Sequence, residues 1–189
     1  MRRRFIADVG VLYSHHDQAE LQPDAELVWR HDAVIEAAME RGPALPVRFG
    51  TTLPDTEALV SALEPAAPRL RRQLEHVRGC VELAVRVGLP TPTRETPRDG
   101  REYVQLRLSD HRTIRTAAEQ TLVPLDELAV CSRHATGDAA TLKASYLVRE
   151  DDVRRFADAV RALGDRHGEF SLSCTGPWPP YSFVGKEAA

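Results

Sequence analysis

Near its C-terminus the chain reads Gly176-Pro177-Trp178-Pro179-Pro180-Tyr181-Ser182-Phe183-Val184. No other stretch limits the fold as strongly. Pro177, Pro179 and Pro180 fix φ and remove three backbone donors, so neither a helix nor a central strand is expected to run through the segment. Each residue before a proline is pushed toward extended or polyproline II backbone, which makes the stretch a stiff ribbon. Trp178, Tyr181 and Phe183 ride on it, in a chain with few aromatics. Ordering a stiff ribbon costs less conformational entropy than ordering a flexible tail. The expectation is an ordered ribbon whose Trp178 and Tyr181 rings dock on the protein's own surface; presentation to a partner is the alternative.

The 189 residues suffice for one good-sized domain or two small ones. A hydrophobic fraction of 42% with 28% charged residues is that of an ordinary globular protein. The net charge of −3 gives no general attraction to nucleic acid or anionic membrane. Cys80, Cys131 and Cys174 are odd in number and far apart, so neither a disulfide framework nor a zinc site is indicated. No apolar run approaches the roughly 20 residues of a membrane helix, and Met-Arg-Arg-Arg precedes no secretory core. A cytoplasmic protein is expected.

Along the chain, helical and strand patterns interleave. Phe5 to Leu12 reads as a strand, with Gly10 bulging or ending it. Pro23-Asp24 opens a helix carrying Leu27, Val34, Ile35 and Ala38, with His31 on the same stripe as a packing residue rather than a ligand. Leu45, Val47 and Phe49 alternate with Pro46 and Arg48 before Gly50, the pattern of an edge strand. Arg48 is expected to anchor that strand's end, with a phosphate or carboxylate clamp as the other role open to it. Asp55 to Arg78 is helical but interrupted at Pro65 and Pro68. Val81, Leu83, Val85, Val87 and Leu89 form the cleanest half-buried strand.

Residues 91–99, rich in proline, threonine and charge, read as a linker between a domain at 1–90 and a second at 100–189. After it, Tyr103 to Leu108 suits a strand or the start of a long helix through Ile114, Ala118, Leu122 and Leu125, and the helix is preferred. Leu142 to Val148 reads as a strand. A helix capped by Asp151-Asp152 follows, with its stripe at Val153, Phe156, Val160 and Leu163, and then a last strand at Phe170, Leu172 and Cys174. The fold class is α+β, two small domains with helices on one face of antiparallel strands.

The chemistry of catalysis is missing from the pattern. There is no nucleophile elbow around Ser14, no phosphate-binding glycine loop, and no metal set around His15-His16-Asp17. Arg69, Arg71 and Arg72 fit the solvated face of a helix. No cofactor is implied.

Two stretches together point further. Leu45-Pro46-Val47-Arg48-Phe49-Gly50-Thr51, followed by a leucine-bearing helix and Gly79-x-Val81-Glu82-Leu83, resembles the N-terminal half of the gas vesicle protein GvpL/GvpF family. Gly176-Pro177-Trp178-Pro179-Pro180-Tyr181-Ser182-Phe183 resembles that family's C-terminal signature. Ala144 to Val148 and Gly100 to Tyr103 fit in the same order, so the likeness covers about the whole chain. The resemblance implies an accessory protein of gas vesicle formation without catalytic activity, located at the vesicle or in the cytoplasm. It implies a ferredoxin-like first domain, and the small hydrophobic shell protein and other accessory gas vesicle proteins as partners. Family members usually begin with one more hydrophobic strand; here Phe5 corresponds to a later one, so the first domain is expected to lack its first strand and leave a pairing edge open. The competing reading is a small-molecule enzyme on a ferredoxin-like scaffold, which requires a deep pocket joining His31, Arg48 and a carboxylate.

Overall fold

A computed structural model of the chain describes residues 1–16, 24–90, 100–135 and 141–184. The chain divides into two compact units: Met1–Gly79 together with Pro179–Ala189, and Cys80–Trp178. Both mix helix and sheet, as the α+β pattern predicts.

The second unit runs β3 (Cys80–Gly88), α4 (Gly100–Asp126), β4 (Cys131–Ala135), β5 (Thr141–Arg149), α5 (Val153–Arg166) and β6 (Ser171–Trp178). Its sheet has the order β4-β5-β3-β6, and every pair is antiparallel. This βαββαβ path is the ferredoxin-like arrangement. It was expected of residues 1–90, and it is built instead by Cys80–Trp178. The periodicity of β3 correctly marks a strand, but its hydrogen-bonding partners β5 and β6 come later in the chain. The linker expected at 91–99 lies outside the described residues.

Alternation decides which side of this sheet is dry. Leu83, Val85 and Val87 of β3 share a face with Leu142, Ala144, Tyr146 and Val148 of β5, and all are buried. Ala118, Leu122 and Leu125 of α4 cover them, with Phe156, Val160 and Leu163 of α5. The spacing of Phe156, Val160 and Leu163 places them on one stripe of α5, as expected. The long helix preferred for Tyr103 onward is present as α4, and it continues through Pro124. Asp152 precedes α5 after a single 3-10 turn, but its side chain makes no capping hydrogen bond.

One polar atom in this core stands out. The Tyr146 hydroxyl is buried and has no hydrogen-bond partner among the described residues. Its ring packs on Phe156 with centroids 4.9 Å apart. Burial pushes the phenol well above its ordinary pKa, and the charge of Asp126 adds to the shift. A buried hydroxyl without a partner costs about 1–3 kcal/mol. Tyr146→Phe is therefore expected to raise stability by about 1 kcal/mol in a denaturant titration. The sign of the pH effect follows from linkage: the unfolded tyrosine loses its proton near pH ~10 while the folded one keeps it. The wild type should thus keep its full stability below that pH and lose it progressively above. The fall in melting temperature should be shallower for Tyr146→Phe.

The first unit begins with a hairpin, β1 (Arg2–Ile6) and β2 (Val9–Tyr13). The run from Phe5 to Leu12 was expected to be one strand. It contains the turn, because Ala7 and Asp8 both take positive φ, 44° and 71°. Two left-handed residues between paired Ile6 and Val9 make a type I′ loop, whose twist suits a hairpin. Ile6 and Val9 are buried, while Phe5 and Leu12 point to the opposite, exposed face.

Three helices follow: α1 (Ala25–Met39), α2 (Thr56–Leu63) and α3 (Ala67–His76). Asp24 caps α1 through the backbone N–H of Glu26 at 3.0 Å, and Asp55 caps α2 through that of Ala58 at 2.7 Å. The break between α2 and α3 falls at the expected prolines, with Pro68 in the first turn of α3, where a missing N–H is harmless.

Candidate docking surfaces

The two signature stretches adopt different structures. Pro43–Arg48 is irregular and Phe49-Gly50 forms a turn, so the edge strand expected over Leu45 to Phe49 is not formed. Its apolar alternation is real, but no strand pairs with it among the described residues. A side chain of α1 holds it instead. His31 Nε2 lies 2.8 Å from the Val47 carbonyl, and since a carbonyl only accepts, Nε2 carries the proton and donates. The same ring meets Phe49 edge-on at 5.6 Å. Pro46 is buried, Leu45 half-buried and Val47 exposed. Gly50 completes the turn at φ 81°, a conformation that favours glycine.

Arg48 departs from its expected role as an anchor. Its side chain is exposed, and its guanidinium makes no ion pair or hydrogen bond among the described residues. The residue's structural contribution comes from its backbone carbonyl, which accepts from Thr51 N at 3.2 Å and from Thr51 Oγ1 at 2.8 Å. The pocket that an enzyme would need is also not formed from these residues: His31 is engaged by the Val47–Phe49 segment, and Arg48 stands in solvent.

The C-terminal signature starts inside β6. Between Ala84 and Glu82 of β3 the register on β6 jumps from Thr175 to Trp178, which marks a bulge at Gly176-Pro177. A bulge on an edge strand is where proline is tolerated. The Gly176-Pro177 bond is cis, and Gly176 has φ 123°. Trp178 is 52% exposed, so its expected docking does not occur. The rings and prolines after it behave otherwise. Pro179 and Pro180 are buried, and Phe183 is only 5% exposed. Tyr181 is partly exposed and donates its hydroxyl to Asp32 Oδ1 of α1 at 3.3 Å. Burial, then the Asp32 charge and this hydrogen bond, push its pKa up to about 12. The ribbon is ordered through its prolines and Phe183, with Tyr181 tied at the rim.

Exposed apolar groups mark other surfaces of the first unit. Trp29 is 78% exposed on α1 and lines a shallow depression with Ala25, Arg30 and Ala33. Phe5 is 65% and Leu12 44% exposed on the outer face of the hairpin, with the Arg3 guanidinium 5.3 Å from the Phe5 ring centre. Trp29 was missed from sequence because it sits on a helix whose inward stripe was already complete. Among the described residues no group of histidine, cysteine and carboxylate side chains is placed to hold a metal, and no helix is long and apolar enough to cross a membrane.

Fold and surfaces together describe a two-unit α+β protein whose distinctive groups lie on exposed edges and faces. Comparison with known proteins gives the family. The family described as gas vesicle synthesis protein GvpL/GvpF matches residues 5–185, and the chain belongs to it. Gas vesicle protein F2 of Halobacterium salinarum is 28% identical over 161 residues, covering 82% of this chain and 66% of that protein. Gas vesicle protein L of a Streptomyces species is 31% identical over 188 residues, covering 85% of this chain and 70% of that protein. This chain thus spans about two thirds of the length of these relatives. The crystal structure of GvpF from Anabaena superposes with a TM-score of 0.84 at 19% identity, over 99% of this chain and 86% of that one. GvpF from Microcystis aeruginosa gives 0.75 at 16% identity, over 97% and 88%. The family membership implies a role in gas vesicle formation.

Proposed function

We propose that this chain is an accessory or minor structural protein of gas vesicle assembly that binds the hydrophobic shell protein directly, without nucleotide or metal. Other accessory gas vesicle proteins are further partners in this reading, and the vesicle or the surrounding cytoplasm is its place of action. A strongly apolar subunit aggregates in water unless its exposed surface is covered. The observation that carries the proposal is the β1–β2 hairpin, a sheet of two strands among the described residues. In a two-residue hairpin the pair next to the loop, Ile6 and Val9, is hydrogen-bonded, and the pairs then alternate. Arg3 and Phe5 on one edge, and Gly10 and Leu12 on the other, therefore direct their backbone groups outward, where a strand can add. The exposed Phe5 and Leu12 side chains supply apolar contact on the same element. Trp29 favours a second mode, a partner helix laid along α1.

The test is co-purification with the shell protein in the presence of a chelator. Arg3→Pro and Leu12→Pro each remove an outward N–H while sparing the internal ladder, so the hairpin should persist and capture should fall. Trp178→Ala, at a half-exposed ring, should cost at most about 1–2 kcal/mol of stability. Capture that survives both proline variants but is lost with Trp29→Ala moves the contact to α1. No capture by any form, with the other accessory proteins present, refutes the assembly role.

A further inference from the structure

The ferredoxin-like sheet has a second face, the one that α4 and α5 do not cover. Its charge is one-sided. Arg86 of β3 and Lys143 of β5 are direct cross-strand partners, so both side chains rise from this face, and both are exposed. Partners in such a position have their Cβ atoms about 4.5–5.5 Å apart, and like charges there repel. Neither cation makes a hydrogen bond or ion pair among the described residues. Arg133 of β4 lies diagonally beside Lys143 on the same face. Strand register places one carboxylate on this face, that of Glu82, and it is buried at the far end, four residues from Arg86 along β3. Around the cations the face carries short hydroxyl side chains, Ser145 opposite Arg133 and Ser173 opposite Arg86. These keep the surface low enough for an extended chain to lie across it.

Two mutually repelling cations without a partner among the described residues, on a central pair of strands, weaken a sheet, and replacing either by a neutral residue would relieve it. The arrangement is explained if an anion lies between them. We propose that this face binds an acidic segment of a partner polypeptide, with carboxylates bridging Arg86 and Lys143. A guanidinium donates two parallel hydrogen bonds to a carboxylate, and the Ser173 hydroxyl opposite Arg86 can donate to a remaining oxygen lone pair. Nucleic acid is disfavoured by the same face. The central-strand positions around Arg86 and Lys143 are Ala84, Gly88, Thr141 and Ser145, with no ring beside the cations on which a base could stack; the exposed ring that strand register places on this face, Trp178, stands opposite Glu82 at its far end. This inference does not rest on shell-protein binding, which was placed on a hairpin of the other unit.

The experiment uses the full chain and a short labelled poly-glutamate peptide, with poly-glutamine and oligouridine of equal length beside it. Fluorescence anisotropy should show saturable binding of poly-glutamate that weakens with added salt, and none of poly-glutamine. The Arg86→Ser, Lys143→Ser double variant should bind at least about tenfold more weakly while melting no lower than the wild type, because a repulsion has been removed. Lys143→Glu should melt higher and lose the peptide. Binding of poly-glutamate unchanged by the double variant, or no binding at low salt, would overturn the proposal. Oligouridine held more tightly than poly-glutamate, and released by the same variant, would assign the face to nucleic acid and overturn it as well.

Discussion

Gly176→Ala is expected to destabilise the ferredoxin-like unit by several kcal/mol, although it adds only one methyl group. A Cβ at this position would lie 2.8 Å from the Glu82 carbonyl oxygen and 2.9 Å from Leu83 Cδ2. The first of these atoms belongs to the backbone of a central strand and cannot step aside without breaking its pairing. The φ of 123° also lies where side chains other than glycine's empty one are strained, at about 1–3 kcal/mol. Overpacking adds about 1–3 kcal/mol, so the total is about 2–6 kcal/mol. Urea titration followed by circular dichroism reads it directly. A melting curve superimposable on the wild type would mean that β6 does not bulge over β3 in this way.

Phe156→Ala should produce a loss of about 3–5 kcal/mol. The ring is fully buried, stands on the inward stripe of α5, and stacks on Tyr146 in the centre of the sheet. Its removal leaves a void that rigid β-strand neighbours cannot fill. Phe156→Leu should lose much less, since most of the volume stays. Should the two units unfold in separate transitions, Phe156→Ala is expected to move only the one belonging to Cys80–Trp178. Movement of both by equal amounts would show that they unfold as one.

The residues that were legible in the sequence are those whose environment is set by local period. Val81, Leu83, Val85 and Val87 announce a half-buried strand, and Phe156, Val160 and Leu163 a one-sided helix, because burial on one face is all that such patterns encode. Pairing partners are not encoded locally, and so β3 was grouped with residues 1–90, whereas its ladders are formed with β5 and β6. The hairpin loop at Ala7-Asp8 escaped notice because it lacks the asparagine or glycine that usually marks two left-handed residues. Leu45 to Phe49 misled in the opposite direction: His31 on α1 holds the segment through the Val47 carbonyl and the Phe49 ring, and its apolar alternation does not match its burial, since Val47 is exposed and Pro46 buried. Trp178 misled through composition alone. Large rings are usually covered, and this one is half open, while the neighbouring Pro180 is buried.

The candidate surfaces were less legible than the fold. The signature stretches were visible as segments, but the exposure of Trp29, Phe5 and Arg48 depends on what packs on the opposite side of each element. Arg86 and Lys143 lie 57 positions apart in the chain, and only the register of β3 against β5 makes them neighbours.

The ribbon after Trp178 belongs with the unit that precedes Cys80. Pro179 onward is grouped with Met1–Gly79, and Tyr181 bonds to Asp32, 149 positions earlier. A ribosome makes these partners far apart in time, with the whole of Cys80–Trp178 between them. The Cys80–Trp178 sheet can close as soon as β6 emerges, whereas the unit begun before it must wait for the ribbon that follows Trp178. Until then the sites that Pro180 and Phe183 will cover stay open to whatever else is nearby. The order of manufacture and the order of completion are reversed, and the exposed hairpin is carried by the part that matures last.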